Sequence, residues 1–340
     1  MALVKRGTIS RPLVFSVFSL LGIAYANVDY FYHGGNQIAG RYIPAEGAAS
    51  RDAVIVFVHG DGALNYDAHG YYEPIWDRLT QAGFAVFSWD KAGVGKSTGQ
   101  WLHQSMDDRA SEVQAAIDHL QANYGYEPQQ IGLFGFSQAG WVAPRVASDH
   151  PAICFVVGFG FAMNWMEQSW YLTKTRMKLE GKTTADIALA HEAHQEEIEF
   201  LSRSPDYSDY LDRLSEDDSA MSQDRFQFVR LNFDADATQA FLTMRQPALV
   251  LLGEDDLNVD VQNTFNALEP VFAERPNSEV VIIEGATHGL LDSDGFNTQS
   301  PGILFLLRFL IYGESAFADG VLDRVTDWVS EAAQRCKPLS

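Results

Sequence analysis

Three side chains, far apart in the chain, have the types needed to activate a hydroxyl group for attack on a carbonyl. Ser137 lies in the stretch Gly-Phe-Ser-Gln-Ala-Gly (residues 135–140), directly after an apolar run. Small residues on both sides of a serine permit a sharp turn from a strand into a helix, which holds the hydroxyl at the mouth of a sheet. Serine becomes a nucleophile when a base takes its proton and an acid orients that base. The chain should therefore supply one histidine and one carboxylate after Ser137.

The candidate acid and base each follow an apolar run. Residues 248–252 are followed by Gly-Glu-Asp-Asp, and residues 280–283 are followed by Glu-Gly-Ala-Thr-His-Gly. Both patterns put polar residues just beyond a strand, where open parallel sheets build their sites. We predict Asp256 as the acid, with Asp260 as the reserve candidate, and His288 as the base.

Two backbone N–H groups are expected to hold the negative oxygen of a tetrahedral intermediate. The residue after the nucleophile, Gln138, supplies one. Asp61, in the loop His-Gly-Asp-Gly (residues 59–62), supplies the other, with Gly62 in reserve. A carboxylate beside a developing negative charge is unfavourable, so we expect the Asp61 side chain to point away and to bond within its own loop. His59 is interpreted as a structural anchor of this loop.

Aromatic residues near the nucleophile and after the following strand are candidates for an apolar substrate pocket. We select Trp141, Phe161 and Trp165 as substrate-binding residues. Packing in the core is the alternative for such residues.

Two other patterns are interpreted as structural. Residues 92–98 resemble the end of a phosphate-binding loop, but Asp90 stands where that motif requires its first glycine. We therefore predict a tight loop held by Asp90. His191 and His194 stand three residues apart, as metal ligands on a helix can, but they lack the H-E-x-x-H order. We expect a solvated helix face, with no metal and no organic cofactor.

Apolar strands alternate with amphipathic helices along most of the chain, which predicts an α/β fold with a mostly parallel central sheet flanked by helices. A hairpin is expected over residues 28–43. The alternation stops over residues 163–246, a polar, helix-forming stretch that we interpret as an inserted helical lid. The core then comprises residues 27–162 and 247–340. Residues 303–312 are apolar almost all round and are predicted to form a buried helix, with contact to a membrane surface as the alternative.

Composition limits the possible partners. The net charge of −21 argues against nucleic acid and anionic membranes, because both would be repelled. Residues 1–26 combine basic residues, a short apolar run and a small-x-small site, as in a secretory signal. We expect a periplasmic or secreted protein without stable membrane insertion after cleavage; a cytoplasmic or N-terminally anchored protein is the alternative. Pairing of Cys154 with Cys336 is not favoured, and the oligomeric state is left open.

Taken together, the motifs resemble the α/β-hydrolase superfamily, most closely its bacterial esterases and serine aminopeptidase-like hydrolases. That branch carries an H-G-x-G loop, a D-[KR]-x-G-x-G-x-S loop and a G-x-S-x-[GA]-G turn, matched here by residues 59–62, 90–97 and 135–140. Two departures are Ala139, where glycine is usual, and Asp61, where many relatives have a small or neutral residue. The resemblance implies a lid-bearing α/β-hydrolase fold with Ser137, Asp256 and His288 as the catalytic triad.

The expected activity is hydrolysis of a small-molecule carboxylic ester through an acyl-enzyme. The alternatives are a serine aminopeptidase or a thioesterase of the same fold, and a hydrolase fold that binds its ligand without turnover.

Overall fold

The apolar runs form a single eight-stranded sheet. The structure is a computed structural model that describes residues 28–46, 51–215 and 219–336. The strands are β1 Val28–His33, β2 Asn36–Ile43, β3 Val54–Val58, β4 Ala85–Trp89, β5 Ile131–Phe136, β6 Phe155–Phe159, β7 Ala248–Gly253 and β8 Glu279–Ile283. Their spatial order is β1-β2-β4-β3-β5-β6-β7-β8. Pairs β1–β2 and β2–β4 are antiparallel and the others are parallel, which confirms the predicted hairpin and the mostly parallel sheet.

Helices cover both faces of this sheet. They are α1 Glu73–Gln81, α2 Met106–Tyr124, α3 Ala143–Asp149, α4 Trp165–Leu179, α5 Thr184–Leu201, α6 Tyr207–Leu211, α7 Gln223–Asn232, α8 Thr238–Thr243, α9 Val261–Ala273, α10 Ser293–Phe296, α11 Ile303–Tyr312 and α12 Val321–Arg335. One core layer joins the sheet to α2, α3 and α9, and the other joins it to α1 and α12. Strands β3, β5, β6 and β7 are buried along their whole length because both faces are covered.

The stretch between β6 and β7 is helical, as predicted. Its described part contains α4 to α8 and an isolated β-bridge between Asn164 and Asp236. Asn164 also caps α4, because its side-chain oxygen accepts hydrogen bonds from two backbone N–H groups of the first turn. The action of this stretch as a lid stays a prediction.

The predicted burial of residues 303–312 is wrong. The helix α11 forms, but its apolar side chains face outwards, and Leu304 and Ile311 are 78% and 80% exposed. The reason is that α1 and α12 already cover this face of the sheet. Phe309 is the residue of α11 that is buried in the core.

The two cysteines form a disulfide, contrary to expectation. Cys154, just before β6, pairs with Cys336, which follows α12. The sequence places these residues 182 positions apart, so the packing of α12 against the sheet decides whether they meet.

The described ranges contain no helix that is both long and apolar enough to cross a membrane. The predicted signal over residues 1–26 lies outside the described residues.

The loop after β4 is held by Asp90, as predicted. The two carboxylate oxygens of Asp90 accept hydrogen bonds from the backbone N–H groups of Tyr66 and Lys96, each at 2.9 Å. A Cβ built on Gly95 would lie 2.2 Å from this carboxylate, and Gly95 has a φ of +55°. The glycine is therefore required by the close approach of Asp90, whose carboxylate already binds the backbone N–H group of Lys96.

Candidate active site

The nucleophile candidate Ser137 sits at a sharp turn directly after β5. Its φ is +50°, in the left-handed region that non-glycine residues rarely adopt. The turn is crowded: a Cβ on Gly135 would lie 2.9 Å from the Cβ of Ala139, and a Cβ on Gly140 would lie 2.9 Å from the Phe161 ring. Small residues on both sides of Ser137 are therefore a steric requirement, as the sequence pattern predicts.

Asp256 lies in the loop after β7, and its side chain is completely shielded from solvent. Its Oδ1 accepts hydrogen bonds from the backbone N–H groups of Asn258 and Val259, at 2.6 and 2.9 Å. These bonds satisfy one oxygen of the buried carboxylate and leave Oδ2 for one further partner. The reserve candidate Asp260 instead caps α9 by accepting a hydrogen bond from the N–H of Asn263 at 3.0 Å.

His288 lies in the loop after β8. A Cβ on Gly160 would lie 2.8 Å from Cε1 of the His288 ring. The ring therefore packs directly against the backbone of Gly160, the residue that follows β6. The neighbouring carbonyl of Gly289 accepts a hydrogen bond from the Tyr71 hydroxyl at 2.6 Å. The loops after β7 and β8 also touch, since a Cβ on Gly253 would lie 2.1 Å from the carbonyl oxygen of Thr287. These contacts fix the position of the imidazole.

The structure brings the three candidates together. Nδ1 of His288 lies 2.7 Å from Oδ2 of Asp256, and Nε2 lies 2.9 Å from Oγ of Ser137. With its proton on Nδ1, donated to the carboxylate, the ring presents an unprotonated Nε2 to the serine hydroxyl. Burial lowers the pKa of His288, but the charge of Asp256 and the hydrogen bond to it outweigh burial, so the net pKa lies above the usual 6.5. The arrangement has the geometry of a serine nucleophile with a general base.

The residues predicted to bind the oxyanion lie beside this serine. A Cβ on Gly60 would be 3.4 Å from the Cβ of Ser137, so the loop over residues 59–62 lies against the nucleophile turn. Asp61 and Gln138 both line the pocket at Ser137. The assignment of their N–H groups as the oxyanion donors stays a prediction.

The predicted hydrogen bonding of the Asp61 side chain within its own loop is wrong. Its carboxylate bonds outside its own loop: Oδ1 accepts a hydrogen bond from Nε2 of Gln138 at 3.3 Å, and Oδ2 lies 3.8 Å from Arg225 on α7. The carboxylate of Asp61 is thus held between a side chain of the nucleophile turn and a cation of α7.

His59 anchors its loop, as predicted. Its Nε2 lies 2.5 Å from the carbonyl oxygen of Trp89 and its Nδ1 lies 3.1 Å from the Tyr72 hydroxyl. Burial, with a smaller contribution from the charge of Lys91, lowers the pKa of His59 to about 3. The ring is therefore neutral at physiological pH and is fully occupied by structural contacts.

The pocket at Ser137 has a volume of about 140 Å³. Two of the predicted substrate-binding residues line it: the rings of Trp141 and Trp165 stack with their centroids 5.4 Å apart. The third prediction, Phe161, is wrong. Its ring is fully buried under the nucleophile turn, against Gly135, Gly140 and Gly158, and it does not line the pocket.

Sequence reasoning missed three polar residues of this pocket, namely Gln168, Ser169 and Arg225. They come from α4 and α7, and no local motif distinguishes them from other polar residues on a helix. Gln168 also lines a larger cavity of about 720 Å³ between α4 and α5, together with the shared wall residues Ala162 and Val259.

The histidines of α5 pack against an aromatic ring. The His191 and His194 rings lie 4.6 and 5.7 Å from the ring of Trp170 on α4. Of the two, His194 is partly buried, and its Nε2 contacts the carbonyl oxygen of Met166 at 3.1 Å, so the predicted solvated face applies to His191. Within residues 28–46, 51–215 and 219–336, no group of three or more His, Cys, Asp and Glu residues is arranged to hold a metal ion.

Comparisons with known proteins show which relatives and solved structures this chain is similar to. The protein YfhR of Escherichia coli is 30% identical over 115 residues, which are 34% of this chain and 38% of YfhR. The match thus spans well under half of that relative. The solved Pyrococcus furiosus esterase Pf2001 has a TM-score of 0.56 at 16% identity, covering 92% of this chain and 91% of its own. The proline iminopeptidase of Mycobacterium smegmatis has a TM-score of 0.55 at 15% identity, with coverages of 91% and 100%.

These structural likenesses show the fold, and they confirm the predicted α/β-hydrolase architecture. The family described as serine aminopeptidase, S33, matches residues 49–294, a range that contains the candidate nucleophile, acid and base. The chain therefore belongs to the serine aminopeptidase S33 family of α/β-hydrolases.

Proposed function

We propose that this hydrolase cleaves carboxylic esters through an acyl-enzyme formed on Ser137. The observation that carries the proposal is the continuous pair of short contacts from Asp256 through His288 to the Ser137 hydroxyl, at 2.7 and 2.9 Å. Nucleophile, base and orienting acid are thus within hydrogen-bond reach of one another, as acyl transfer requires.

In the proposed mechanism, Nε2 of His288 takes the proton of Ser137 while its oxygen attacks the ester carbonyl. The N–H groups of Asp61 and Gln138 stabilise the oxyanion. His288 then gives its proton to the departing alcohol, which leaves Ser137 acylated. Water, activated by the same imidazole, attacks the acyl group and releases the acid. Asp256 holds the ring and stabilises its protonated form throughout.

The pocket at Ser137 favours a small, uncharged acyl group. Its volume is about 140 Å³, and two stacked indole rings form part of its wall. Asp61 is the one carboxylate among its described lining residues, and that carboxylate is already bound by Gln138 and lies near Arg225. An ammonium group on the substrate would therefore find no free carboxylate beside the nucleophile.

A serine aminopeptidase is the second candidate, because the larger cavity behind Gln168 is acidic. Among the described residues, four carboxylates line it, Glu167, Asp234, Asp236 and Asp260, together with Lys174 and two histidines. A substrate whose amino group reached that cavity would be attracted by this charge. Comparing p-nitrophenyl acyl esters with aminoacyl anilides separates the two: faster turnover of the anilides would favour the aminopeptidase. A thioesterase, the other alternative, is tested with acyl thioesters in the same assay.

A fluorophosphonate probe tests for catalysis itself. We expect the wild-type chain to be labelled and the Ser137→Ala variant to be unlabelled, because the probe reacts with an activated serine. Ser148→Ala is the matched control and should leave labelling unchanged, because this hydroxyl on α3 forms a hydrogen bond of 2.7 Å with the Thr243 hydroxyl on α8. A wild-type chain that is not labelled and hydrolyses no ester would support a fold that binds without turnover.

We also propose that the protein acts outside the cytoplasm. The sequence over residues 1–26 has the parts of a secretory signal, and the Cys154–Cys336 disulfide is typical of oxidising compartments. Fractionation of cells that express the full chain, with N-terminal sequencing of the product, tests this. A product found in the cytoplasm with two free thiols would contradict it.

A further inference from the structure

Two buried cationic side chains lie behind the loop proposed to hold the oxyanion. Lys91 follows β4 and Arg109 lies on α2, and they are 2% and 5% exposed. Removing cations from water carries a large free-energy cost unless specific partners repay it. Hydrogen bonds of both residues go to the oxyanion loop, and Arg109 also binds the residue after the nucleophile and the sulfur of Met106.

Lys91 binds the loop at its second residue. Its Nζ donates a hydrogen bond to the carbonyl oxygen of Gly60 at 3.1 Å, and it lies 4.5 Å from the centre of the Trp101 ring. In a trans peptide the carbonyl and the following N–H point in opposite directions. With the Gly60 carbonyl directed to Lys91, the N–H of Asp61 is directed the other way. Lys91 therefore sets the direction of one of the two proposed oxyanion donors.

Arg109 binds both sides of the same site. One guanidinium nitrogen donates a hydrogen bond to the carbonyl oxygen of His59, and another donates to Oε1 of Gln138 at 2.6 Å. The amide of Gln138 in turn donates to Asp61. Arg109 thus connects the oxyanion loop to the residue that supplies the second proposed donor.

Burial and the surrounding charges act on this pair in opposite directions. Burial and the charge of Arg109 lower the pKa of Lys91 well below its usual value, while Asp61 and Glu112 act in the opposite direction. Glu112 is itself buried and accepts hydrogen bonds from Trp89 at 2.8 Å and Gln104 at 2.7 Å. Its negative charge favours the charged forms of both cations.

We infer that Lys91 and Arg109 are positioning residues, which orient the N–H groups of Asp61 and Gln138 for the oxyanion by holding the Gly60 and His59 carbonyls and the Gln138 side chain. This inference rests on the proposed ester hydrolysis. Two well-packed apolar side chains would fill the same space without desolvating two cations. Apolar side chains at these two positions could not donate hydrogen bonds to the Gly60 and His59 carbonyl oxygens or to the Gln138 side chain.

The test measures stabilisation of the oxyanion separately from substrate binding. Lys91→Met removes the donor and keeps the length of the side chain. We expect kcat to fall about 10- to 100-fold with KM within about twofold, because the loosened donors act on the transition state. The affinity for an alkylboronic acid, which forms a tetrahedral adduct on the serine oxygen, should fall by a similar factor. Arg109→Met should act in the same direction.

Lys96→Met is the matched control, because Lys96 lies in the same loop with an exposed side chain. Lys91→Arg, which restores a donor, should recover part of kcat. Thermal unfolding of each variant shows whether it is folded. If Lys91→Met does not fold, kcat and boronic acid affinity are instead compared between wild type, Lys91→Arg and Arg109→Lys. Unchanged kcat in Lys91→Met, or a lower kcat with unchanged boronic acid affinity, would overturn the inference. A wild-type chain that fails to react with fluorophosphonate would instead overturn the proposed function.

Discussion

At the scale of single residues, the role of each carboxylate follows from the hydrogen bonds that its two oxygens accept. Asp256 uses one oxygen for two backbone N–H groups and the other for His288. Asp260, four residues later, uses its carboxylate to cap a helix. Two carboxylates that are nearly equivalent in the sequence thus have different roles, because the loop after β7 turns one inwards and one outwards.

Replacement of these two acids should separate their roles. Asp256→Asn should reduce kcat/KM for a p-nitrophenyl ester about 10³- to 10⁴-fold, because the imidazole loses the partner that sets its tautomer. Asp260→Asn should leave kcat/KM within about twofold and lower the stability by less than about 1 kcal/mol, because asparagine still caps the helix but lacks the negative charge that favours a helix N-terminus. Steady-state kinetics of both variants provides the measurement, and the opposite ranking would show that Asp260 is the acid.

The pH dependence of kcat/KM should report the raised pKa of His288. The imidazole acts as a base only when it is neutral, so activity is lost as pH falls through its pKa. Because the net shift is upward from 6.5, the midpoint of the acidic limb should lie above pH 6.5 in the free enzyme. A pH profile of kcat/KM measures it. A midpoint well below 6.5 would mean that Asp256 does not act on His288 as described.

At the scale of elements, α4 lies between the pocket at Ser137 and the larger cavity of about 720 Å³. The Gln168 side chain of this helix lines both and donates a hydrogen bond to the carbonyl oxygen of Asn258 at 2.9 Å. The Gln168 side chain is therefore part of the wall that the pocket at Ser137 shares with the larger cavity. This wall is expected to limit the size of the group that Ser137 accepts.

Gln168→Ala should shift the substrate preference towards longer acyl chains. Shortening this side chain opens the pocket of about 140 Å³ towards the cavity of about 720 Å³. The measurement is the ratio of kcat/KM for octanoyl and acetyl p-nitrophenyl esters, which should rise about tenfold. Gln114→Ala, whose side chain bonds Asp118 within α2, is the control. An unchanged ratio would place the acyl group elsewhere.

A second prediction at this scale concerns the exposed helix α11 and its contribution to stability. Phe309 is 4% exposed and Leu304 is 78% exposed. Phe309→Ala should lower the free energy of unfolding by about 3–5 kcal/mol, since it leaves a cavity in the core. Leu304→Ala should change it by less than about 0.5 kcal/mol. Urea unfolding measures both, and a large effect of Leu304→Ala would show that this face is covered in solution.

At the scale of the whole molecule, the disulfide joins the last described helix to the centre of the sheet. Cys154 precedes β6 and Cys336 follows α12, so the bond closes a loop of most of the second half of the chain. Cross-links over long loops restrict the unfolded chain and so favour the folded state.

Removing this bond should destabilise the protein by about 2–5 kcal/mol. The Cys154→Ala and Cys336→Ala double variant, compared with wild type by urea unfolding, gives the magnitude. Reductant should lower the stability of wild type towards that of the double variant, which should itself be insensitive to reductant. If reductant leaves wild type unchanged and a thiol assay finds two free cysteines, the bond does not form in the purified protein.

The sequence alone determined the fold class, the nucleophile turn and which three residues meet. These depend on short-range rules: apolar runs form strands, small residues surround a strained serine, and the ends of parallel strands share one edge of the sheet. The tertiary structure decided the exposure of α11, the position of Phe161, the contacts of Asp61 and the cysteine pairing. It also brought Lys91 and Arg109 to the carbonyls behind the oxyanion loop. Each of these depends on which distant neighbour fills a given space, and local patterns do not specify that neighbour.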